Sequence, residues 1–192
     1  MIRLLDIWIA FVGLIVGFPI MVLLYLVGLL DTGSPIFVQE RVGRHGKPFR
    51  LVKFRTMRKT AASVATHLAN VDDITRFGRF LRGSKLDELP QLWNVLKGEM
   101  SLIGPRPERP VFYKNLEENV PYFTHRTYQL KPGISGLAQV MNGYDENIEG
   151  VRRKIAWDYA YALSLSNFSS WYRTEMSILV KTIQVVLMGK GK

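Results

Sequence analysis

The feature that most constrains this chain is an uncharged stretch from Ile7 to Leu30. About 20 apolar residues are enough for a helix to cross the hydrocarbon core of a bilayer. We therefore expect residues 1–31 to form a membrane helix. A cleaved signal peptide is disfavoured, because the stretch is too long for a typical signal and no small-residue cleavage site follows it. Pro19 lies near the middle and lacks an amide donor, which predicts a kink.

Two topologies stay open for this segment: a kinked helix that spans the bilayer, or a re-entrant helix that returns to the same face. Arg3 precedes the stretch, and a larger group of basic residues follows it, namely Arg41, Arg44, Lys47 and Arg50. Positive charge favours the cytoplasmic side of a membrane. We expect residues 32–192 to be cytoplasmic, and Arg3 slightly favours the re-entrant form.

Composition narrows the function classes. A chain of 192 residues suits one globular domain beside the membrane segment. The absence of cysteine excludes disulfides and thiolate chemistry, and three scattered histidines make a zinc site unfavourable. A net charge of +10 indicates an acidic partner, which could be a phosphorylated substrate, an anionic lipid surface or nucleic acid. We expect no nucleic-acid binding, because no recognition motif is apparent.

The remaining patterns predict an α+β fold that is mainly helical. Two short strands are expected at Ile36–Gln39 and Phe49–Phe54, joined by a hairpin loop over residues 43–46. Residues 59–73 have few large apolar groups and predict a surface loop, and residues 131–137 predict a Gly/Pro loop. Helices are expected at residues 74–81, with Phe77, Phe80 and Leu81 on one face, and at 90–98, 115–122, 148–163 and 171–188. The last of these is amphipathic and could lie in the membrane interface or pack on the domain.

Adjacent acids at Asp87 and Glu88 are the strongest candidates for chemistry. Because Leu89 precedes Pro90, we expect it to avoid helical angles, which places both acids in a turn entering the next helix. The N-terminus of that helix would favour an ionised carboxylate, able to act as a nucleophile or as a metal ligand. Acids at a helix start are also common without any catalytic role, so the pair alone does not decide the function.

Basic residues near this pair suit the binding of phosphate. Arg106 is held between Pro105 and Pro107, and a guanidinium with a restricted backbone makes a good phosphate clamp. Arg82 lies shortly before the acids. Lys53 and Arg55 alternate along a strand and are expected on one face, where they could bind a phosphate or a lipid headgroup.

Asp158 and Tyr161 are one helical turn apart. Asp158 could hold an arginine or contact substrate, and we expect the structural hydrogen bond. Neither a Walker loop, a G-x-G-x-x-G sequence nor a G-x-S-x-G sequence occurs, which argues against ordinary nucleotide-binding and serine-hydrolase folds.

Taken together, these pieces resemble the bacterial sugar transferase family, the monotopic polyprenyl-phosphate glycosyl-1-phosphate transferases. The matching runs follow one another in order over nearly the whole chain: QERVG at residues 39–43, KFRTM at 53–57, TRFGRFLR at 75–82, LDELPQLWNVLKGEMS at 86–101, GPRP at 104–107 and KPGISGLAQV at 131–140. The order and spacing of so many runs make the resemblance specific.

The resemblance implies a re-entrant membrane helix and a small enzyme that consists of little more than the catalytic domain. It implies that Asp87 attacks the sugar-bearing phosphate of a UDP-sugar, releasing UMP, and that the sugar phosphate then passes to undecaprenyl phosphate. Glu88 would bind Mg²⁺. Candidate substrate or phosphate ligands are Lys53, Arg55, Arg82, Arg106, Gln139 and Asp158.

By the same resemblance, the enzyme would sit in the bacterial inner membrane with its catalytic domain on the cytoplasmic face. Its partners would be the two substrates, the phospholipid bilayer and, as an open alternative, a second copy. The chain departs from the usual family pattern at Tyr144, where an arginine often follows Asn-Gly, and at Glu175, where aspartate is frequent. The competing hypothesis is a non-catalytic adaptor whose basic face binds the membrane surface.

Overall fold

The computed structural model describes residues 2–60, 73–142 and 148–188 of the chain. Within these residues the fold is mainly helical with two small sheets, which confirms the α+β prediction. The α-helices are α1 (Ile2–Thr32), α2 (Arg76–Ser84), α3 (Gln91–Lys97), α4 (Pro110–Asn119), α5 (Leu137–Asn142), α6 (Ile148–Ser164) and α7 (Phe168–Leu187). The strands are β1 (Ile36–Val42), β2 (Pro48–Phe54), β3 (Ser101–Ile103) and β4 (Gly133–Ser135).

Helix α1 is long and apolar enough to cross a membrane, and it starts well before Ile7. Most of its side chains are exposed. Its buried residues are Asp6 and Ala10 towards one end and Leu24 and Gly28 towards the other. Since all four are covered by the rest of the chain, the part of α1 before Pro19 (one arm) and the part after it (the other arm) contact the same globular part.

The antiparallel hairpin of β1 and β2 runs from the pair Ile36–Phe54 to the pair Val42–Pro48, so β1 is longer than predicted. The loop falls over residues 43–46, as expected. Asn94 of α3 is fully buried and bonds to β2, accepting from the Val52 amide at 3.1 Å and donating to the Arg50 carbonyl at 2.7 Å. This side chain satisfies backbone groups on the strand edge that faces away from β1.

A second sheet pairs β3 with β4 in parallel, through Ser101–Gly133 and Ile103–Ser135. The prediction of a loop over residues 131–137 is therefore wrong for the part that forms β4. Strands of three residues are too short to show a hydrophobic period. The backbones approach so closely that a Cβ at Gly133 would lie 2.1 Å from the Gly104 nitrogen, which explains the glycine there.

Three further predictions differ from the structure. Leu89 has helical angles (φ −51°, ψ −41°) although Pro90 follows it, so the expected restraint is overridden by the surrounding helical turns. Helix α4 starts at Pro110 rather than at residue 115, because proline is well suited to the first helical position. Phe80 is 57% exposed and does not share the buried face of Leu81. Residues 61–72 of the predicted surface loop lie outside the described residues.

The apolar core joins α1 to the segments that carry the acids. Ala10 packs with Phe49 and Val95, while Leu24 packs with Phe54 and Leu81. A separate cluster around Ile103, Tyr161 and Ile178 joins β3 to α6 and α7. The hairpin, α2 and α3 therefore form the layer against α1, and β3 links this layer to the C-terminal helices.

Helix α2 depends on a close backbone approach, which gives a stability prediction. A Cβ at Gly78 would lie 2.0 Å from the Thr56 carbonyl oxygen, and no side-chain rotation relieves a contact with backbone. We expect Gly78→Ala to lower the free energy of unfolding by about 2 to 3 kcal/mol. Gly83→Ala is the matched control, since it lies on the same helix with nothing within 4 Å. It should be neutral or stabilising by up to about 1 kcal/mol. Denaturant unfolding in detergent measures both, and equal stabilities would contradict the packing.

Candidate active site

Asp87 and Glu88 lie in a single 3₁₀ turn, Leu86–Glu88, between α2 and α3. Lys85 precedes this turn in the left-handed conformation (φ 59°, ψ 13°), which is unusual for a residue with a side chain. Its amide bonds back to the Arg82 carbonyl at 3.3 Å, and its own carbonyl accepts from the Glu88 amide at 3.1 Å. Such local strain often accompanies functional sites. Both acids are buried, with 5% and 8% exposure respectively.

One oxygen of the Asp87 carboxylate makes no hydrogen bond with the described residues. In the described part of the chain, Oδ1 of Asp87 is buried and has no hydrogen-bond partner. Burial raises the pKa of Asp87, and the neighbouring Glu88 raises it further, against the opposing effect of Lys53, Lys85 and Arg106. Burial and Glu88 thus act on the pKa of Asp87 in the direction opposite to that expected from a helix N-terminus.

The pKa of Glu88 is shifted in the opposite direction, below its usual value. Burial works to raise its pKa, but Arg106, Lys85 and Lys53 outweigh burial and lower it. Arg106 donates from Nη2 to Glu88 Oε1 at 3.1 Å and forms an ion pair with it. Two adjacent carboxyl groups whose environments move their pKa values apart are suited to different roles.

In the turn that carries Arg106, every backbone carbonyl from residue 105 to residue 108 accepts a hydrogen bond. The four donors, in order, are the Gly133 amide, Arg126 Nη2, Arg41 Nη1 and the Val42 amide. The Gly104 amide also donates to the Ser135 carbonyl at 2.9 Å. Because prolines remove two amide donors from this turn, its rigidity comes from these accepted bonds together with the fixed proline angles.

Asp158 stabilises this turn indirectly, through Arg126. It pairs with Arg126 at 2.5 Å, with both side chains almost completely buried, and Arg126 in turn donates to the Arg106 carbonyl at 2.9 Å. Of the two roles left open by the sequence, the structure gives Asp158 the one of holding an arginine. Arg126 was not found by sequence reasoning, because a single arginine in His125–Thr127 carries no distinguishing pattern.

Glu108 and Arg41 form a second, partly buried ionic group beside the same turn. Glu108 binds Lys154 at 3.1 Å and Arg41 at 3.8 Å. Burial lowers the pKa of Arg41 to about 10, although Glu108 opposes this change. The sequence placed Arg41 in a family motif without giving it a role, and the structure shows that it anchors the Pro107 carbonyl.

Lys53 is the strand cation that is coupled to the two acids. Lys53 and Arg55 both lie over the ring of Phe37, at 5.6 and 5.2 Å from its centroid, which confirms that they share a face. Burial lowers the pKa of Lys53 to about 8, Asp87 opposes the shift, and Arg106 and Arg82 add to it. Lys53 therefore lies in the electrostatic field of the acids and of both predicted phosphate arginines.

The other predicted ligands have identifiable contacts outside the pair of acids. Arg82 Nε donates to Thr56 Oγ1 at 2.9 Å, and Arg55 Nε donates to the Ser34 carbonyl at 2.9 Å. Gln139 Nε2 donates to the Ile134 carbonyl at 3.2 Å, and its Oε1 is buried without a partner in the described residues.

The two departures from the family pattern have different outcomes. Tyr144 lies outside the described residues. Glu175 accepts from the Tyr161 hydroxyl at 2.8 Å, and the oxygen of that hydroxyl lies 3.3 Å from the Ile103 carbonyl oxygen. Burial raises the pKa of Glu175. Glu175 thus contributes to the packing of α6, α7 and β3.

Two polar residues in the first turns of α1 fix the elements on either side of the site. Arg3 donates to the Val95 and Leu96 carbonyls at the end of α3. Asp6 accepts from the Ser101 hydroxyl at 2.8 Å and from the Leu102 amide at 3.0 Å in β3. Since α3 follows the acids and β3 leads into the Arg106 turn, α1 helps to set their separation.

The site combines a nucleophile candidate, an ionised acid and cations able to hold phosphate. The described residues contain no group of three or more His, Cys, Asp or Glu side chains arranged for a metal ion. Mg²⁺ commonly uses only one or two carboxylates and takes its other ligands from substrate phosphates and water. Glu88 fits that requirement, and Asp87 is a second carboxylate in the same turn.

Comparison with known proteins identifies the family of this chain. A family model described as bacterial sugar transferase matches residues 1–189. The chain belongs to the bacterial sugar transferase family.

Three curated relatives illustrate the range of this family. An Aeromonas hydrophila protein named UDP-N-acetylgalactosamine-undecaprenyl-phosphate N-acetylgalactosaminephosphotransferase is 38% identical over 97% of this chain and 44% of its own length. The UDP-glucose:undecaprenyl-phosphate glucose-1-phosphate transferase of Caulobacter vibrioides is 38% identical over 88% and 63%. The undecaprenyl-phosphate galactose phosphotransferase of Salmonella typhimurium is 35% identical over 98% and 41%. This sugar transferase chain spans less than two thirds of each of the three, and their names specify three different sugars.

The support behind Arg106 can be tested by stability. We expect Asp158→Ala to cost about 3 to 5 kcal/mol, because it leaves the Arg126 guanidinium buried without its counter-charge. The matched control is Glu118→Ala, which breaks an exposed ion pair with Lys114 and should change stability by less than about 1 kcal/mol. Denaturant titration of both variants compares them. A loss for Asp158→Ala no larger than that of the control would contradict the role given to this pair.

Proposed function

We propose that this sugar transferase moves a sugar-1-phosphate from a UDP-sugar to undecaprenyl phosphate through a covalent intermediate on Asp87. The observation that carries the proposal is the carboxylate of Asp87, buried with one unpartnered oxygen among Lys53, Lys85 and Arg106. A nucleophile needs a lone pair that is not engaged in a hydrogen bond, and phosphoryl transfer needs cations around the phosphate oxygens. The names of the relatives support the same donor and acceptor classes.

The two steps balance as successive displacements at one phosphorus atom. An oxygen of Asp87 attacks the sugar-bearing phosphorus, the bond to the bridging oxygen breaks, and UMP leaves with that electron pair. The acceptor phosphate then attacks the same phosphorus and breaks the acyl-phosphate bond. This step restores the carboxylate and yields the polyprenyl-diphosphate sugar. Arg106 and Lys53 would hold the phosphoryl oxygens in both steps.

We also propose that Glu88 is the protein ligand for Mg²⁺. Its pKa is lowered mainly by Arg106 against the effect of burial, so it offers a negative oxygen ligand at neutral pH. The ion, when bound, would neutralise charge on the phosphates of the donor. Arg106 would then serve two purposes, keeping Glu88 ionised and orienting a phosphate.

A re-entrant arrangement of α1 follows from the same proposal. A helix that spans the bilayer has its ends on opposite sides of it. In this chain, Asp6 and Ala10 on one arm and Leu24 and Gly28 on the other are all covered by one globular part. Asp31 at the end of α1 also bonds to Thr75 of α2 at 2.7 Å. These contacts support entry and exit on one membrane face, and the basic residues after α1 favour the cytoplasmic one.

Helix α7 would lie in the interface on the same face. Its exposed side includes Phe168, Tyr172, Met176, Leu179, Val180 and Ile183, which recur at helical spacing. An exposed apolar face of this kind suits the boundary between headgroups and acyl chains. A homodimer of the chain stays a prediction.

The covalent step gives the first functional prediction. With a UDP-sugar and Mg²⁺ but no lipid acceptor, the wild type should release UMP in an amount close to that of the enzyme and gain the mass of a sugar phosphate. Asp87→Asn should lose both signals, because an amide is a poor nucleophile. Glu118→Gln, at an exposed acid outside the site, is the control. A panel of UDP-sugars identifies the donor, and release without any adduct would contradict the intermediate.

An adaptor without catalysis predicts a different result. It would bind anionic vesicles in a salt-dependent manner and release no UMP from any UDP-sugar in the panel. Binding to a membrane surface would require neither the buried pair of acids nor the hydrogen-bonded Arg106 turn.

The pKa shifts predict the pH dependence of UMP release at saturating Mg²⁺. The rate should fall as the pH drops through the raised pKa of Asp87, at a pH above the range of an ordinary aspartate. It should also fall as the pH rises through about 8, where Lys53 loses its charge. Lys53→Arg should retain activity above that pH, because arginine stays protonated. A decline at high pH that is identical in both proteins would contradict the assignment to Lys53.

A further inference from the structure

Lys85 lies beside the two acids, and the reaction proposed above leaves its side chain without a role. It follows the end of α2 in the left-handed conformation (φ 59°, ψ 13°). Helix α3 ends in the same conformation (φ 85°, ψ 10°), but there the residue is Gly98. Glycine is the usual residue at this position, because it has no Cβ to clash with the backbone. The chain therefore carries a long cationic side chain where glycine would fit with less strain.

The backbone of Lys85 shapes the turn that carries the acids, and this task does not require the side chain. Its amide donates to the Arg82 carbonyl at 3.3 Å, and its carbonyl accepts from the Glu88 amide at 3.1 Å. Glycine or asparagine could make both bonds in the same left-handed conformation. Lys85 is half-buried, so its side chain can be reached by a ligand. The turn by itself does not explain why this residue is a lysine.

The charge of Lys85 acts on both acids, and its position differs from that of Lys53. Lys53 is the cation that most lowers the pKa of Asp87, and Lys85 comes second. At Glu88 the order changes, since Arg106 lowers the pKa most and Lys85 comes before Lys53. Such effects weaken with distance. Lys53 is therefore the lysine beside the nucleophile, and Lys85 is the lysine beside Glu88, the proposed ligand for Mg²⁺.

We propose that the ammonium group of Lys85 binds the second phosphate of the donor, the one that leaves as part of UMP; this inference rests on the proposed function. A UDP-sugar carries two phosphates, and Lys53 and Arg106 are already placed around the one that is transferred. These two cations form one group, because Arg106 lowers the pKa of Lys53. A phosphate on the side of Glu88 would be within the field of Lys85 instead.

The chemistry of the first step gives such a cation a purpose. When the oxygen of Asp87 attacks, the bond between the sugar-bearing phosphorus and the bridging oxygen breaks. The electron pair stays on the bridging oxygen, so the phosphate of UMP gains negative charge as it leaves. An ammonium group that is already in place stabilises this charge more in the transition state than in the bound donor. Lys85 would therefore speed the release of UMP as well as bind its phosphate.

Substitutions at Lys85 can be chosen that keep the fold. Lys85→Gly and Lys85→Asn both suit the left-handed conformation, and Lys85→Gly should raise the midpoint of thermal unfolding by about 2 °C. We expect both to weaken the binding of UMP about tenfold, as the loss of one charged hydrogen bond implies. Lys85→Arg keeps the charge and should stay within about threefold of the wild type. The matched control is Lys114→Asn, because the Lys114 side chain is 91% exposed and lies outside the site.

Equilibrium titration of the purified protein in detergent, with saturating Mg²⁺, measures these affinities. Uridine has the base and ribose of UMP but no phosphate, so its affinity should be the same in all variants. UMP also lacks the transferred phosphate, so Lys53→Gln should weaken UMP binding less than Lys85→Gly does. The acceptor-free release of UMP should slow in Lys85→Gly and Lys85→Asn and recover in Lys85→Arg.

Three results would overturn the inference. The first is an equal affinity for UMP in the wild type and in Lys85→Gly. The second is a loss of uridine affinity as large as the loss for UMP, which would indicate an altered turn. The third is a loss in Lys53→Gln as large as that in Lys85→Gly. Failure of the proposed function is a distinct result, because then even the wild type releases no UMP from any UDP-sugar.

Discussion

The ion pair between Glu88 and Arg106 is the interaction on which the site depends. It joins two segments that are distant in the sequence, the 3₁₀ turn before α3 and the proline-bounded turn after β3. Without Arg106, two adjacent buried carboxylates would repel each other and lose hydration with little compensation. With it, Glu88 can stay ionised while the pKa of Asp87 is raised. The hydrogen-bonded carbonyls from residue 105 to residue 108 restrict the backbone of Arg106, whose guanidinium lowers the pKa of Glu88.

The membrane helix takes part in that geometry. Arg3 and Asp6 attach the start of α1 to the end of α3 and to β3, the two elements that lead away from the acids and into the Arg106 turn. A polar side chain near an apolar helix is costly unless it is bonded, and Asp6 has both of its oxygens satisfied. The position of α1 and the spacing between the acids and the Arg106 turn are therefore coupled through these hydrogen bonds. A shift of α1 should therefore change the distance between the acids and the Arg106 turn.

Much of this architecture could be predicted from the sequence, for reasons that differ between elements. The length and apolarity of residues 7–30, the alternation in the hairpin and the period of α7 report on local physics and were confirmed. The run of family motifs identified the acids. What could not be predicted depends on contacts between distant segments, as with the pairing of β3 and β4, the helical angles of Leu89 and the burial of Arg126 against Asp158. The raised pKa of Asp87 belongs to the same class, because burial cannot be counted from neighbours in sequence.

In the proposed reaction, the burial of Asp87 and Glu88 would protect a covalent intermediate on Asp87 from water. A covalent carboxyl phosphate would be lost if water reached it as easily as the acceptor does. Asp87 has 5% exposure, which limits access by water. Access by the acceptor must then come from another direction, and α1 with its exposed apolar residues lies beside Leu86 and supplies one. Under the proposed function, the burial of Asp87 and the membrane position of α1 would together favour a lipid phosphate over water.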